Sequence, residues 1–95
     1  MTGGEKVVPT LVESALCAHP AVAEAGVVGV ADPDWGEAVT AFVVLREPAE
    51  PEELRAWCRA RLAPHEVPKR VVAVDELPRN AAGKLERRRL ESPPR

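Results

Sequence analysis

Ten prolines in 95 residues limit this chain more than any other feature. Proline fixes φ, lacks a backbone N–H and clashes with the preceding helical turn, so neither a helix nor a central strand continues through it. The elements must therefore be short, with frequent stops. Pro9 suits the first turn of a helix, and Leu11, Val12, Ala15 and Leu16 follow as an apolar stripe at helical spacing. His19-Pro20 ends that helix, because a residue before proline avoids the helical region. Residues 24–30 and 38–45 are Val-rich and read as two strands. Asp32-Pro33-Asp34 supplies turn chemistry between them, which predicts an antiparallel pair with a bulge or wider loop.

Pro51 opens a second helix, with Glu52 and Glu53 in its first turn and Leu54, Trp57, Cys58 and Leu62 as its buried face. Ala63-Pro64 stops it. A third strand over 70–74, a loop over 75–83 and a short helix over 85–90 complete the order. The expected fold is α+β: a small three-stranded sheet packed with about three helices. A domain is expected over residues 1–91, with a frayed tail over 92–95.

A chain of this length buries roughly 60–65% of its unfolded surface, so the core is modest. Aromatic residues are 3% (Trp35, Phe42 and Trp57), which leaves the core to Val, Leu and Ala. A net charge of −2 argues against bulk attraction to nucleic acid or an anionic membrane. Cys17 and Cys58 lack ligand spacing to each other or to histidine, so no metal site is expected. Both are expected as buried thiols on the apolar sides of their helices. No signal-peptide pattern or membrane-length apolar run stands out, and a cytoplasmic location is expected. His19 and His65 have no acid partner at a recognisable spacing, so neither is assigned as a base.

The stretch from Pro78 through Asn80-Ala81-Ala82-Gly83-Lys84 to Arg87-Arg88-Arg89 carries the chemistry. It places one lysine after a loop that reads as flexible and just before a short basic helix. Such an ammonium can reach into another surface and stabilise negative charge developing there. Taken alone, the residues favour a solvated helix-end lysine. No pocket-forming motif accompanies it, so the chain reads as half of an active site.

Four segments then resemble one family in order. They are Gly3-Gly4-Glu5-Lys6-Val7-Val8-Pro9, His19-Pro20-Ala21-Val22 with Val27-Val28-Gly29-Val30, Asp32-Pro33-Asp34-Trp35-Gly36-Glu37, and Gly83-Lys84-Leu85-Glu86-Arg87-Arg88. Together they resemble the small C-terminal domain of the AMP-forming acyl-CoA synthetases, shared with peptide-synthetase adenylation domains and luciferases. Family members commonly carry Glu where this chain has Leu11.

The resemblance implies a two-step reaction. A carboxylate attacks the α-phosphate of ATP to give an acyl-adenylate and pyrophosphate, and a thiol then displaces AMP. It implies that Lys84 is the adenylation lysine, and that Gly3 and Gly4 lie beside the thiol channel, on the coenzyme A side. Lys6, Trp35, Arg87 and Arg88 are possible phosphate or interdomain contacts. ATP and coenzyme A would be substrates of the complete enzyme, with Mg2+ held by a large N-terminal domain and none of these bound by this chain alone. The isolated chain is expected to be inactive. The expected partners are that large domain, in the same or a separate chain, and a carboxylic acid held by it; no nucleic acid or membrane partner is expected. Two alternatives stay open: a free-standing module that docks on a separate adenylating domain, and part of a carrier-protein-loading adenylation domain. A third reading is a structural domain whose site has decayed.

Overall fold

The computed structural model describes residues 7–32 and 36–91, the side chains of 30–32, 36–38 and 91 excepted. Helix α1 spans Pro9–Cys17, strand β1 Val22–Asp32, strand β2 Gly36–Leu45, helix α2 Pro51–Arg59, strand β3 Arg70–Ala73 and helix α3 Arg87–Glu91. Proline occupies the first turn of both α1 and α2, where its missing N–H has no intrahelical partner to lose. A single 3₁₀ turn at Pro64–Glu66, absent from the sequence reading, leads into β3. There the Glu66 carboxylate accepts the Ala63 N–H at 2.9 Å.

The sheet order is β1-β2-β3. Strands β1 and β2 are antiparallel, in a register that sets Val27 opposite Ala41 and Asp32 opposite Gly36. Pairing thus runs further than the Val-rich runs suggested, and the last pair leaves only three residues between the strands. That connection is wider than a two-residue hairpin, one of the two forms expected, and a separate register irregularity lies at the far end, between Val22 and Glu24. Strand β3 runs parallel to β2, Ala41 opposite Val71, so α2 serves as the crossover between parallel neighbours.

The side-chain alternation explains why the strands are apolar at almost every position. One sheet face presents Val22, Val27, Ala41, Val43 and Val71 to Val12 and Leu16 of α1 and to Leu54 and Cys58 of α2. The other presents Val28, Phe42, Val44 and Val74 to Leu77, Leu85 and Leu90 of the C-terminal segment. A sheet covered on both faces needs apolar residues in both phases of its period of two. Gly26 makes the second cover possible: a Cβ there would lie 2.9 Å from Leu90 Cδ1 and 3.3 Å from Leu85 Cδ2.

Several sequence expectations are corrected. Leu11 is half exposed, because the α1 face that meets the sheet is centred on Val12 and Leu16. Cys17 is exposed as a residue, one position beyond that face. Partial burial of its sulfur, then the Glu13 carboxylate, push its thiol up from the ordinary value. Cys58 is buried as expected. Helix α2 ends at Arg59, earlier than Leu62, and Trp57 is only partly buried. Its indole N–H donates to the Ala15 carbonyl at 2.8 Å, and the Arg61 guanidinium stacks 3.3 Å above its ring centre. Helix α3 begins at Arg87, because Leu85 is taken up in a bridge to Arg79.

His19 gains the acid partner that its sequence neighbours did not reveal. Its Nε2 lies 3.1 Å from the Glu53 carboxylate, while Nδ1 accepts the Ala21 N–H at 3.0 Å. An Nδ1 that accepts leaves the proton on Nε2, which donates to Glu53. With its ring edge against Trp57 at 4.7 Å, His19 is a joint between α1 and α2.

Candidate functional site: the Lys84 loop

Leu77 and Leu85 flank the loop and pack on the second sheet face, so both of its ends are anchored to the core. Between them the chain reverses through a closed hydrogen-bonded turn. Glu86 N–H donates to the Pro78 carbonyl, Asn80 N–H to the Lys84 carbonyl and Gly83 N–H to the Asn80 carbonyl, each at 2.9 Å. The Asn80 Oδ1 accepts the N–H groups of both Ala82 and Lys84 at 2.9 Å. Gly83 sits at φ 83°, in the left-handed region that a side chain would strain. Asn80 to Gly83, which reads as a flexible loop in the sequence, is a turn in which the N–H groups of Asn80, Ala82 and Gly83 and the carbonyls of Asn80 and Gly83 all have partners.

Lys84 itself is exposed, and its ammonium has no hydrogen-bond or ion-pair partner among the described residues. A fixed backbone thus carries a free cation on a four-carbon stem. Arg79 adds a link to the sheet. Its guanidinium donates to the Gly83 carbonyl at 3.1 Å and pairs with Glu24 of β1.

The other nominated residues divide. Arg87 turns onto Glu13 of α1, with Nη2 2.8 Å from both carboxylate oxygens and Nε 3.2 Å from one of them. The same carboxylate accepts the Val27 N–H on the outer edge of β1 at 2.8 Å. Arg87 therefore holds α3 to α1 and β1, and no phosphate contact is needed to explain its position. Arg88 is exposed. Gly3, Gly4, Lys6 and Trp35 lie outside the described residues. Sequence reasoning missed Arg79, Glu24 and Glu13 as supports, because their partners lie far along the chain. Asn80 was visible as a turn residue, and only the geometry gives its carbonyl oxygen two donors.

A cleft of about 320 Å³ opens between α2 and the segment before β3, lined by Arg55, Arg59, Leu62, Pro64, Val67 and Lys69. Both arginines already bond Glu52, whose carboxyl they hold below its ordinary range, Arg59 first. No residue of the Lys84 loop lines the cleft. Among the described residues no set of three or more His, Cys, Asp or Glu side chains converges as metal ligands. None of their helices is long and apolar enough to cross a membrane.

The family described as the AMP-binding enzyme C-terminal domain matches residues 11–84. The chain is 54% identical over 90 residues to a 2-succinylbenzoate–CoA ligase of Bacillus velezensis, covering 95% of this chain and 18% of that protein. It is 55% identical over 93 residues to the ligase of the same name from Geobacillus kaustophilus, covering 96% and 19%. Among solved structures it is similar to o-succinylbenzoate CoA synthetase from Bacillus subtilis in complex with the acyl-adenylate intermediate, with a TM-score of 0.89 and 45% identity over 96% of this chain and 19% of that one. The chain thus spans less than a fifth of the length of these relatives. Fold, loop and likeness agree, and the chain belongs to the AMP-binding enzyme C-terminal domain family.

Proposed function

We propose that this chain works as the lysine-bearing C-terminal domain of an AMP-forming acid–CoA ligase, and that Lys84 acts in the adenylation step. The observation that carries the reading is the free ammonium of Lys84 on a closed loop anchored at both ends. A large N-terminal domain holds the acid, ATP and Mg2+. There a carboxylate oxygen attacks the α-phosphorus, and the bond to the departing pyrophosphate breaks. The Lys84 ammonium bridges carboxylate and α-phosphate oxygens, holding the reactants together and offsetting charge at the reacting centre. In the second step the sulfur of coenzyme A attacks the acyl carbon, AMP leaves, and the thiol proton passes to solvent. Gly3 and Gly4 border the path of the thiol arm, and Arg88 contacts phosphate or the large domain.

The names of the relatives support 2-succinylbenzoate as the acid and coenzyme A as the acceptor, ahead of a carrier protein. A cytoplasmic setting accords with those substrates. The chemistry is the same whether the large domain is joined in one chain or supplied by another.

The test separates the parts. Residues 1–95 alone, given ATP, Mg2+, 2-succinylbenzoate and coenzyme A, release no pyrophosphate above background, whereas the chain joined to its large domain does. Robust release by residues 1–95 alone would overturn this division of labour.

A further inference from the structure

We propose that Arg79 is a positioning residue for Lys84, because its guanidinium joins the Gly83 carbonyl to the Glu24 carboxylate of β1 and so fixes the peptide unit that carries the lysine. The inference rests on the reading of Lys84 as the adenylation lysine.

The Gly83 carbonyl and the Lys84 N–H belong to one peptide plane. Arg79 holds the carbonyl side at 3.1 Å, and Asn80 Oδ1 holds the N–H side at 2.9 Å. Two consecutive side chains therefore grip one plane from opposite edges. The grip matters because the residue before that plane is glycine at φ 83°, with nothing within 4 Å of where a Cβ would stand. Neither a side chain nor packing opposes rotation there, and glycine populates both signs of φ readily. A flip of this plane would re-aim the Cα–Cβ bond of Lys84 and carry the ammonium away from its target. The hydrogen bonds supply the order that packing does not.

The link to Glu24 orients the loop as a whole. Without it, the loop could keep its internal hydrogen bonds and still tilt on the sheet. Arg79 and Glu24 are both about two-fifths exposed, and exposed ion pairs contribute little to global stability. The effect of losing the pair is therefore expected in geometry and rate. A guanidinium suits the task because its planar fork can meet a carbonyl and a carboxylate at once, which an ammonium on a flexible stem does less well.

The experiment uses the complete ligase, with 2-succinylbenzoate-dependent ATP–pyrophosphate exchange as the first readout. The second is thioester formation from supplied 2-succinylbenzoyl-adenylate and coenzyme A. Arg79→Ala is expected to lower kcat for exchange by about tenfold to a hundredfold, the scale of a misplacement near 1 Å. The KM for ATP and the thioester step stay within about twofold. Arg79→Lys restores part of the loss. Arg79→Ala combined with Glu24→Ala is no slower than Arg79→Ala alone, since both act through one contact. On the 95-residue chain, the Lys84 amide exchanges with solvent faster in Arg79→Ala than in wild type.

Exchange within twofold of wild type in Arg79→Ala, beside its loss in Lys84→Ala, would overturn the positioning role and leave the lysine assignment standing. Equal losses in both half-reactions would also overturn it, by marking Arg79 as merely structural. Exchange retained in Lys84→Ala would overturn the lysine assignment, and the positioning role with it.

Discussion

Asn80 concentrates much of the loop's order in one side chain. Its Oδ1 accepts two N–H groups, and its own N–H and carbonyl close the turn on Lys84 and Gly83. Asn80→Ala should lower the stability of the 95-residue chain by about 1 kcal/mol in urea unfolding. Asn80→Asp keeps the acceptor and should recover most of it; equal loss in the two variants would show that the acceptor does not matter. At this scale the sequence was informative where chemistry is local. Gly83 and Lys84 could be singled out because a loop glycine and the cation beside it are neighbours in the chain and match the family's closing motif, while the positive φ of Gly83 came only with the structure. Arg79 could not, because its carboxylate partner, Glu24, stands on the first strand, 55 positions earlier.

Among the elements, the joint at Glu13 ties three together: its own helix α1, the outer edge of β1 through the Val27 N–H, and α3 through Arg87. An edge strand's outward N–H groups need an acceptor, and here a carboxylate from the packed helix supplies it. Glu13→Ala would strand the Arg87 guanidinium and leave the Val27 N–H without its partner. The expected loss is about 2–3 kcal/mol in urea unfolding, with Glu13→Gln losing less. A loss below about 0.5 kcal/mol in Glu13→Ala would contradict the joint.

Helices α1 and α2 were placed from proline and periodicity, because those signals act within one turn. The start of α3 was misplaced, since Leu85 is claimed by pairing with Arg79 across the loop. The ends of the strands were underestimated for a related reason. Ladder hydrogen bonds carry Glu37 and Gly36 into β2 despite their poor strand propensity.

The whole molecule is a thin sheet covered on both faces, and its small core makes each buried group count. The α+β class followed from the order of elements in the sequence. The parallel pairing of β3 with β2 did not, because both pairings satisfy the same Val-rich pattern. Cys58 tests the core through pH. Burial pushes its thiol above the ordinary value of 9.0, with nearby Arg61 opposing more weakly. The folded state then holds the proton where the unfolded chain has lost it. Its contribution is therefore full below the unfolded pKa, near 9, and drains away as pH rises through the folded value. Cys58→Ala should cost about 1–2 kcal/mol at pH 7, and its deficit against wild type should narrow above pH 9. A deficit that stays constant to pH 10.5 or so would contradict the raised thiol.

The most direct measurement compares the two half-reactions of the complete ligase carrying Lys84→Ala. ATP–pyrophosphate exchange with 2-succinylbenzoate should fall by about a hundredfold or more, while thioester formation from supplied acyl-adenylate stays near wild type. Exchange that persists at the wild-type rate would contradict the assignment of Lys84 to adenylation.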